Sequence, residues 1–587
     1  MSLSFLVLVV YQSLFVKPTP RTGPRPATVT TTPSQTGSQA SAPGSTPAPT
    51  VPVPDGTPAP AAAPAAAPST PASAEVPAVV GGGAERDIVV ETDEIRAVFT
   101  TRGAELKSWT LKRFFDDRQH PVDLVAASAP PDQPRGFALL AEDAALTTRL
   151  RSAVYRPSSE SVSLGAEAGR IVFEFQDTMG LTVRKQFDFR QRDHPYLLGF
   201  TAEVRQGGED LKVSVSSGPG LGDTDRAQGG SFLSPSYYQK PQAIFFDGGK
   251  VQRIPATTFA ERSRYESAFN YVGSDDHYFL SALLPTVPRG AAPDAGPEAQ
   301  PRNTRVDYRH LVVPTPLGPR DLVAYDARVA GGPRDLTYYL GPKKFEMLSA
   351  VSADLTRVIH FGIFAWLVVP LLRALNWVNG FVANYGWSIV ILTILINAAM
   401  FPLRHKSVVS MRKMQDLQPQ VKAIQDRYAK LKTTDPARQK MNVELMNLYR
   451  EKGVNPASGC LPMLLTMPVL FAFYALLSQA IELRGAPFFG WIQDLSTHDP
   501  LYITPLLMGA TMVWQQKITP STADPTQQRI MMMMPLMFTF MFLWAPSGLV
   551  IYWFISNLWA IGQQYFTNYL IGPPKVKPAP QGRAASA

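Results

Sequence analysis

The sequence predicts a polytopic α-helical membrane protein, a five-helix core with an N-terminal anchor, that carries a large β-sandwich on one side and a helical hairpin on the other. Three observations lead there. Residues 530–574 hold no Lys, Arg, Asp or Glu, 45 positions in all, about twice the ~20 apolar residues that one spanning helix needs. Residues 87–339 alternate apolar and polar side chains in short runs separated by Gly and Pro, the period-2 pattern of half-buried strands. Residues 404–458 hold twelve Lys or Arg against five Asp or Glu, a net +7 within the chain's formal +9, and short basic loops stay in the cytoplasm.

Each element follows in turn. Residues 3–16, LSFLVLVVYQSLFV, are apolar, with no basic stretch before them and no small-residue cleavage site after them. They read as an uncleaved transmembrane anchor over 1–16, cut short by a misassigned start codon. Residues 17–84 are Pro, Ala, Thr and Ser with hardly a large apolar side chain. Such a segment buries too little surface to offset its ordering entropy, and a disordered linker is expected. The sandwich is expected over 85–345, built from runs such as Ile171–Phe175 and Leu181–Phe189. Within it, Asp275, Asp276 and His277 read as an acid/base cluster or as a turn with a solvated charge pair. The turn is favoured, because no second carboxylate motif accompanies them.

Residues 361–372, FGIFAWLVVPLL, are apolar but only twelve long, and Arg373, Trp377 and Asn379 follow. Too short to span, this run predicts an interfacial amphipathic helix over 351–383, with Trp side chains at headgroup depth. The core is expected over 384–571, with spans near 386–403, 459–481, 501–516, 530–545 and 547–570. The last two are joined by a turn at Ala545–Gly548. Lys575, Lys577 and Arg583 place the tail, 572–587, on the cytoplasmic side, and the sandwich falls outside. In the loop 404–458, Met411, Met414, Leu417, Val421, Ile424, Tyr428 and Leu431 recur at steps of three and four, as do Met441, Leu445 and Leu448. Two amphipathic helices result, broken at Thr433–Pro436 with Asp435 as a cap. Their apolar stripe is used up within the hairpin or meets a partner. The basic loop also fits a nucleic-acid patch, but membrane orientation explains it without a nucleic-acid substrate. One cysteine, Cys460, excludes an internal disulfide, the seven His are scattered, and no catalytic signature is present.

The runs NPASGCLPMLLTMP (455–468), ELRGAPF (482–488), DPTQQ (524–528) and PSGL (546–549) resemble the YidC/Oxa/Alb family of membrane-protein insertases, in its Gram-negative form with a large periplasmic domain. The likeness covers 384–571, and the outer domain, with TTRG at 100–103, is similar in placement. The resemblance implies a multi-pass protein of the bacterial inner membrane with a hydrophilic groove, open to cytoplasm and lipid and closed toward the periplasm. Nascent membrane proteins enter it, alone or beside the Sec translocon, with the ribosome and membrane lipids as further partners. No cofactor, no metal and no hydrolysis are implied, so the chain is not expected to be an enzyme. Carried over position by position, the groove would be lined by Thr393, Asn397, Thr466, Tyr552 and Trp553.

Asn397 departs from the family pattern, which has an Arg there. An unpartnered amide in an apolar medium costs roughly 2–7 kcal/mol, so Asn397 faces something other than lipid tails. Arg404 lies seven residues on, two turns along the same face and ~10 Å away, within reach of the groove mouth by snorkelling. Asn397 otherwise serves a helix–helix hydrogen bond. A secondary transporter or channel would also carry polar groups at mid-membrane, although repeated halves and paired charges are missing. A membrane-anchored carbohydrate-binding enzyme rests on the sandwich alone.

Overall fold

The computed structural model describes residues 78–571, apart from 117, 127–129, 131, 166–167, 190–193, 222–237, 286–300, 316–317, 429–436, 454–460 and 520–524. The N-terminal anchor, nearly all of the linker, the Asp435 cap, the first residues of the NPASGC run and the basic tail therefore lie outside the described residues.

Residues 78–342 form two sheets, of eleven and ten strands. Pairing is antiparallel except between Asp87–Thr92 and Ser161–Gly165. The alternation read from the sequence sets the register: Val183 lies opposite Phe175 and Phe187 opposite Ile171. Leu181, Val183, Phe187 and Phe189 then share one buried face. Across the sandwich, Phe187 meets Phe99 and Phe137 of the second sheet at ring-centroid distances of 4.6 and 5.3 Å, an aromatic seam between two sheets.

Lys185 occupies an inward position of that strand, where the alternation calls for an apolar residue. Its ammonium donates to the carbonyls of Gly103 (2.6 Å), Ala104 (3.3 Å) and Phe137 (2.8 Å), three donors for three acceptors. The TTRG turn and the residue after it present the first two of those carbonyls. Gly103 has φ +70°, and a Cβ there would lie 2.8 Å from Glu105 Oε1, so glycine is required. Burial pushes the Lys185 amine down to about 7 and the neighbouring Glu105 carboxyl up.

Three features of the sandwich differ from the sequence reading. Ala78–Val80, assigned to the linker, is a strand paired with Gly169–Asp177; its apolar side chains find a sheet edge that composition does not reveal. Helix α1, Ala144–Ser152, interrupts the strands, with Asp143 accepting from the backbone N–H groups of Ala145 and Leu146, an N-cap followed by too few turns to give a periodic signal. Asp275, Asp276 and His277 are not a solvated turn, since all three are buried. Lys343 Nζ donates to Asp275 Oδ2 at 3.0 Å, and His277 Nε2 lies 2.8 Å from the Ser478 carbonyl of the helical region. The charge pair is buried because this end of the sandwich rests on the helices.

After α2, Phe345–Val351, comes α3, Ala365–Val382. The reading that this region is too short to span is corrected in its premise. The helix runs ten residues past Leu372, because Trp377 and Phe381 continue its apolar surface. With its preceding turn it is one of two helices, among the described residues, long and apolar enough to cross a membrane. Val368, Leu371, Leu372, Leu375 and Val378 are buried while Trp366, Trp377 and Phe381 are exposed, a one-sided apolar stripe packed on the core.

The second such helix is α4, Tyr385–Asp416, 32 residues begun by Asn384, whose side chain accepts from the Trp387 N–H. It extends beyond the expected span 386–403 and continues past Pro402. At 1.5 Å per residue it measures ~48 Å, longer than the ~30 Å hydrocarbon core. The first arm of the hairpin is thus partly an extension of α4. Helix α5, Gln418–Arg427, and α6, Ala437–Glu451, follow, tied by Arg427 Nη2 and the Tyr428 hydroxyl donating to Glu444 at 2.6 and 3.3 Å.

The remaining helices are α7, Leu461–Gln479; α8, Ile503–Ile518; α9, Pro525–Phe542; and α10, Ser547–Ile571. Helix α10 packs along α4 and α8, and α9 packs on α8. Gly509 of α8 lets α9 approach closely, since a Cβ there would lie 2.0 Å from Thr539 Oγ1.

Candidate functional site

The polar stripe of α4 begins at Thr393, fully buried, whose hydroxyl donates to the Ile389 carbonyl at 2.6 Å. One turn on, Asn397 is 5% exposed, and its Nδ2 donates to the Thr393 carbonyl at 2.8 Å. Its Oδ1 accepts from Arg404 Nη1 at 2.9 Å. The guanidinium of Arg404 therefore folds back two turns, as helical side chains do when they lean toward the N-terminus, and sits at the level of Asn397. These bonds lie within α4, so among the described residues Asn397 does not pin α4 to another helix.

Tyr552 of α10 completes the group. It is buried, stacks on Phe473 of α7 with centroids 4.5 Å apart and planes 6° apart, and is close enough to Arg404 to interact electrostatically. Trp553, one residue on and 100° around the helix, faces elsewhere: it packs on Phe538 and Phe542 of α9 at 5.9 and 4.9 Å. Thr466 falls in α7, but its side chain is outside the described residues. The structure thus brings Thr393, Asn397, Arg404 and Tyr552 together and sets Trp553 apart in the α9–α10 seam.

Further polar groups lie on α10 that the sequence reading passed over. Asn557 Nδ2 donates to the Met508 carbonyl and Thr511 Oγ1 of α8, both at 3.4 Å. His405 Nδ1 lies 3.2 Å from Thr567 Oγ1, joining α4 to α10 beyond Arg404. The signal was available: Ser556, Asn557, Gln564 and Thr567 interrupt a run free of charge. A single polar residue is a helix contact, whereas a series along one helix is a wall.

At the opposite end of the helices the connecting loops are tied to themselves and to the sandwich. Asp499, fully buried, accepts from Trp491 Nε1, the backbone N–H groups of Leu501 and Thr504, and the Thr504 hydroxyl, at 2.8 to 2.9 Å. Burial alone would raise its carboxyl, but these donors outweigh burial and hold it below the usual range. Arg484 lies over the rings of Tyr278 and Phe279 at 5.4 and 5.0 Å, and the Tyr238 hydroxyl donates to the Ser496 carbonyl at 3.2 Å. The sandwich thus sits on the loops that join α7 to α8.

Comparison with known proteins agrees with this architecture. Residues 87–374 match the family model described as the YidC periplasmic domain, and residues 377–573 match that of the 60Kd inner membrane protein. A membrane protein insertase YidC of Syntrophus aciditrophicus is 34% identical over 510 residues, covering 85% of this chain and 88% of that protein. One from Geobacter metallireducens is 34% identical over 523 residues, covering 86% and 90%. A crystal structure of an active YidC insertase covers 84% of this chain and 95% of its own at 18% identity, with a TM-score of 0.34. A galactose mutarotase related enzyme of Lactobacillus acidophilus, 10% identical with a TM-score of 0.27, covers 43% of the chain. The chain is not an enzyme, and the transporter or channel alternative finds no support. With its periplasmic domain and its helical region each matched, the chain belongs to the YidC family of membrane protein insertases.

Proposed function

We propose that this insertase receives its clients in a hydrophilic groove walled by Thr393, Asn397, Arg404, Thr466, Tyr552 and Trp553, within a core of five spanning helices, α4 and α7 to α10. The observation that carries the reading is the Arg404–Asn397 hydrogen bond. It delivers a guanidinium to the depth of an amide that the family pattern replaces with Arg, so the groove keeps its cation although the residue has moved. A cation at that depth persists only with polar partners and water beside it. A wet, positive cavity lowers the cost of moving a client's acidic tail, and burial of the client's apolar span, at ~25 cal/mol per Å², drives the step.

In this reading the protein is multi-pass, with the sandwich in the periplasm and the basic hairpin in the cytoplasm, where positive loops remain. Helix α3 lies at the periplasmic interface, its buried stripe on the core and its Trp residues among headgroups. The hairpin α5–α6, with Met446 exposed, meets the ribosome or the emerging client, and larger clients arrive beside the Sec translocon. Reconstitution of the purified chain with a small two-span client is the test. Protease-protected client in proteoliposomes at rates well above empty vesicles supports the reading. Equal rates, or insertion that survives replacement of Asn397, Arg404 and Tyr552 together by Leu, overturns it.

A further inference from the structure

Away from that wall, the seam between α4 and α10 opens into a crevice of about 480 Å³, lined by Ile394 and Phe401 on one side and Leu558, Trp559, Gln563 and Phe566 on the other. This lies within the ~300–1,000 Å³ of sites that take small molecules. Ile394, Leu558 and Phe566 are among the exposed apolar residues, so the crevice opens outward. Its lining is apolar with one exception. Gln563 is 7% exposed, yet neither Nε2 nor Oε1 has a hydrogen-bond partner, and neither has Trp559 Nε1. Buried donors left unpaired are costly, and the two of them, Gln563 Nε2 and Trp559 Nε1, call for a ligand that is apolar along most of its length and accepts hydrogen bonds at one end.

Depth identifies that ligand. Trp514 Nε1 donates to the Tyr565 hydroxyl at 3.3 Å, and Tyr565 and Tyr569 are exposed, the aromatic girdle that marks a membrane interface. Gln563 precedes Tyr565 by two residues, ~3 Å along the axis, which is the level of the ester carbonyls of a phospholipid. Gly562 makes the room, because a Cβ added there meets no atom within 4 Å. We infer that this crevice binds one membrane phospholipid, an acyl chain along α4 and α10 and an ester carbonyl accepting from Gln563 Nε2 and Trp559 Nε1. The inference rests on the reading above that α4 and α10 span the membrane.

Native mass spectrometry of the full chain released from phospholipid nanodiscs tests it. The unaltered protein should retain one phospholipid. Gly562→Leu, whose Cβ meets no atom within 4 Å, should lower retention roughly tenfold or more, since the new side chain displaces several methylenes; Gln563→Leu should weaken retention while leaving the cavity. Equal retention in all three overturns the inference. So does a photoreactive residue at 558 that captures nascent client rather than lipid, because the crevice would then be a client surface. The underlying reading fails separately: with Cys460→Ser, a cysteine at 558 that reacts with a water-soluble maleimide in intact membranes would mean that this face is not in lipid at all.

Discussion

Replacing Arg404 by Ala removes the cation that, among the described residues, bonds Asn397, and its consequence can be sized. The guanidinium is fixed by its 2.9 Å bond to Asn397 Oδ1, so a client carboxylate passing the wall comes within ~6 Å of it. At an effective dielectric of 20 to 40, for a partly hydrated cavity, that pair is worth about 1.4–2.8 kcal/mol, or roughly tenfold to a hundredfold in rate if the contact is made at the barrier. The assay is insertion into proteoliposomes of two clients that differ only in an Asp or Asn pair in the translocated tail. Arg404→Ala should slow the acidic client by about that factor and leave the neutral one within twofold. Arg404→Lys should fall between, keeping the charge but losing the planar fork. The reasoning is refuted if both clients slow equally, which would make Arg404 a structural residue, or if neither does.

Other predictions concern stability and orientation. Lys185, depressed by burial to about 7, binds its proton more weakly in the folded state than in the unfolded chain, so stability should rise between about pH 7 and 10, by at most ~1.4 kcal/mol per pH unit. Hydrogen-exchange protection factors of residues 181–189 in the full chain, taken relative to the intrinsic rate at each pH, should rise over that window, and Lys185→Met should abolish the trend. Gly386→Ala would put a Cβ 2.1 Å from the Phe488 ring and should cost about 1–3 kcal/mol by overpacking, whereas Gly562→Ala, inside α10 and meeting no neighbour, should not lower the melting temperature. In a Cys460→Ser background, cysteines at the exposed positions 312 and 446 should react with impermeant maleimide from opposite sides of the membrane, position 312 from the periplasm.

Much of this fold is written in local periodicity. The strand Leu181–Phe189 is legible because its apolar residues alternate, and α10 because Ser547–Ile571 contains no charge beside a Pro–Ser–Gly turn. What was not legible depends on contacts between distant segments. Asp275 and His277 look like a surface turn until Lys343 and the Ser478 carbonyl, 68 and 201 residues away, close over them. Lys185 breaks its own alternation because Gly103, 82 residues earlier, supplies a carbonyl. That α4 runs on to Asp416 was not legible either, since Pro402 and the charges after it give no apolar period, yet a proline late in a long helix is tolerated when neighbouring helices support it. At the candidate site, one-dimensional spacing paired Asn397 with Arg404, since residues seven apart share a face. The separation of Tyr552 from Trp553 into two seams needed the positions of α7 and α9.

The central claim, that clients pass along the wall formed by α4 and α10, is tested most directly by photocrosslinking of stalled nascent chains. A photoreactive residue placed in turn at 397, 552 and 381 samples the two sides of that wall and the exposed face of α3. The account predicts capture of the client's apolar span at 397 and 552 and little at 381. Capture at 381 with none at 397 and 552 would contradict it, and would mean that clients enter along the outside of the bundle and that the Asn397–Arg404 pair serves only the helix that carries it.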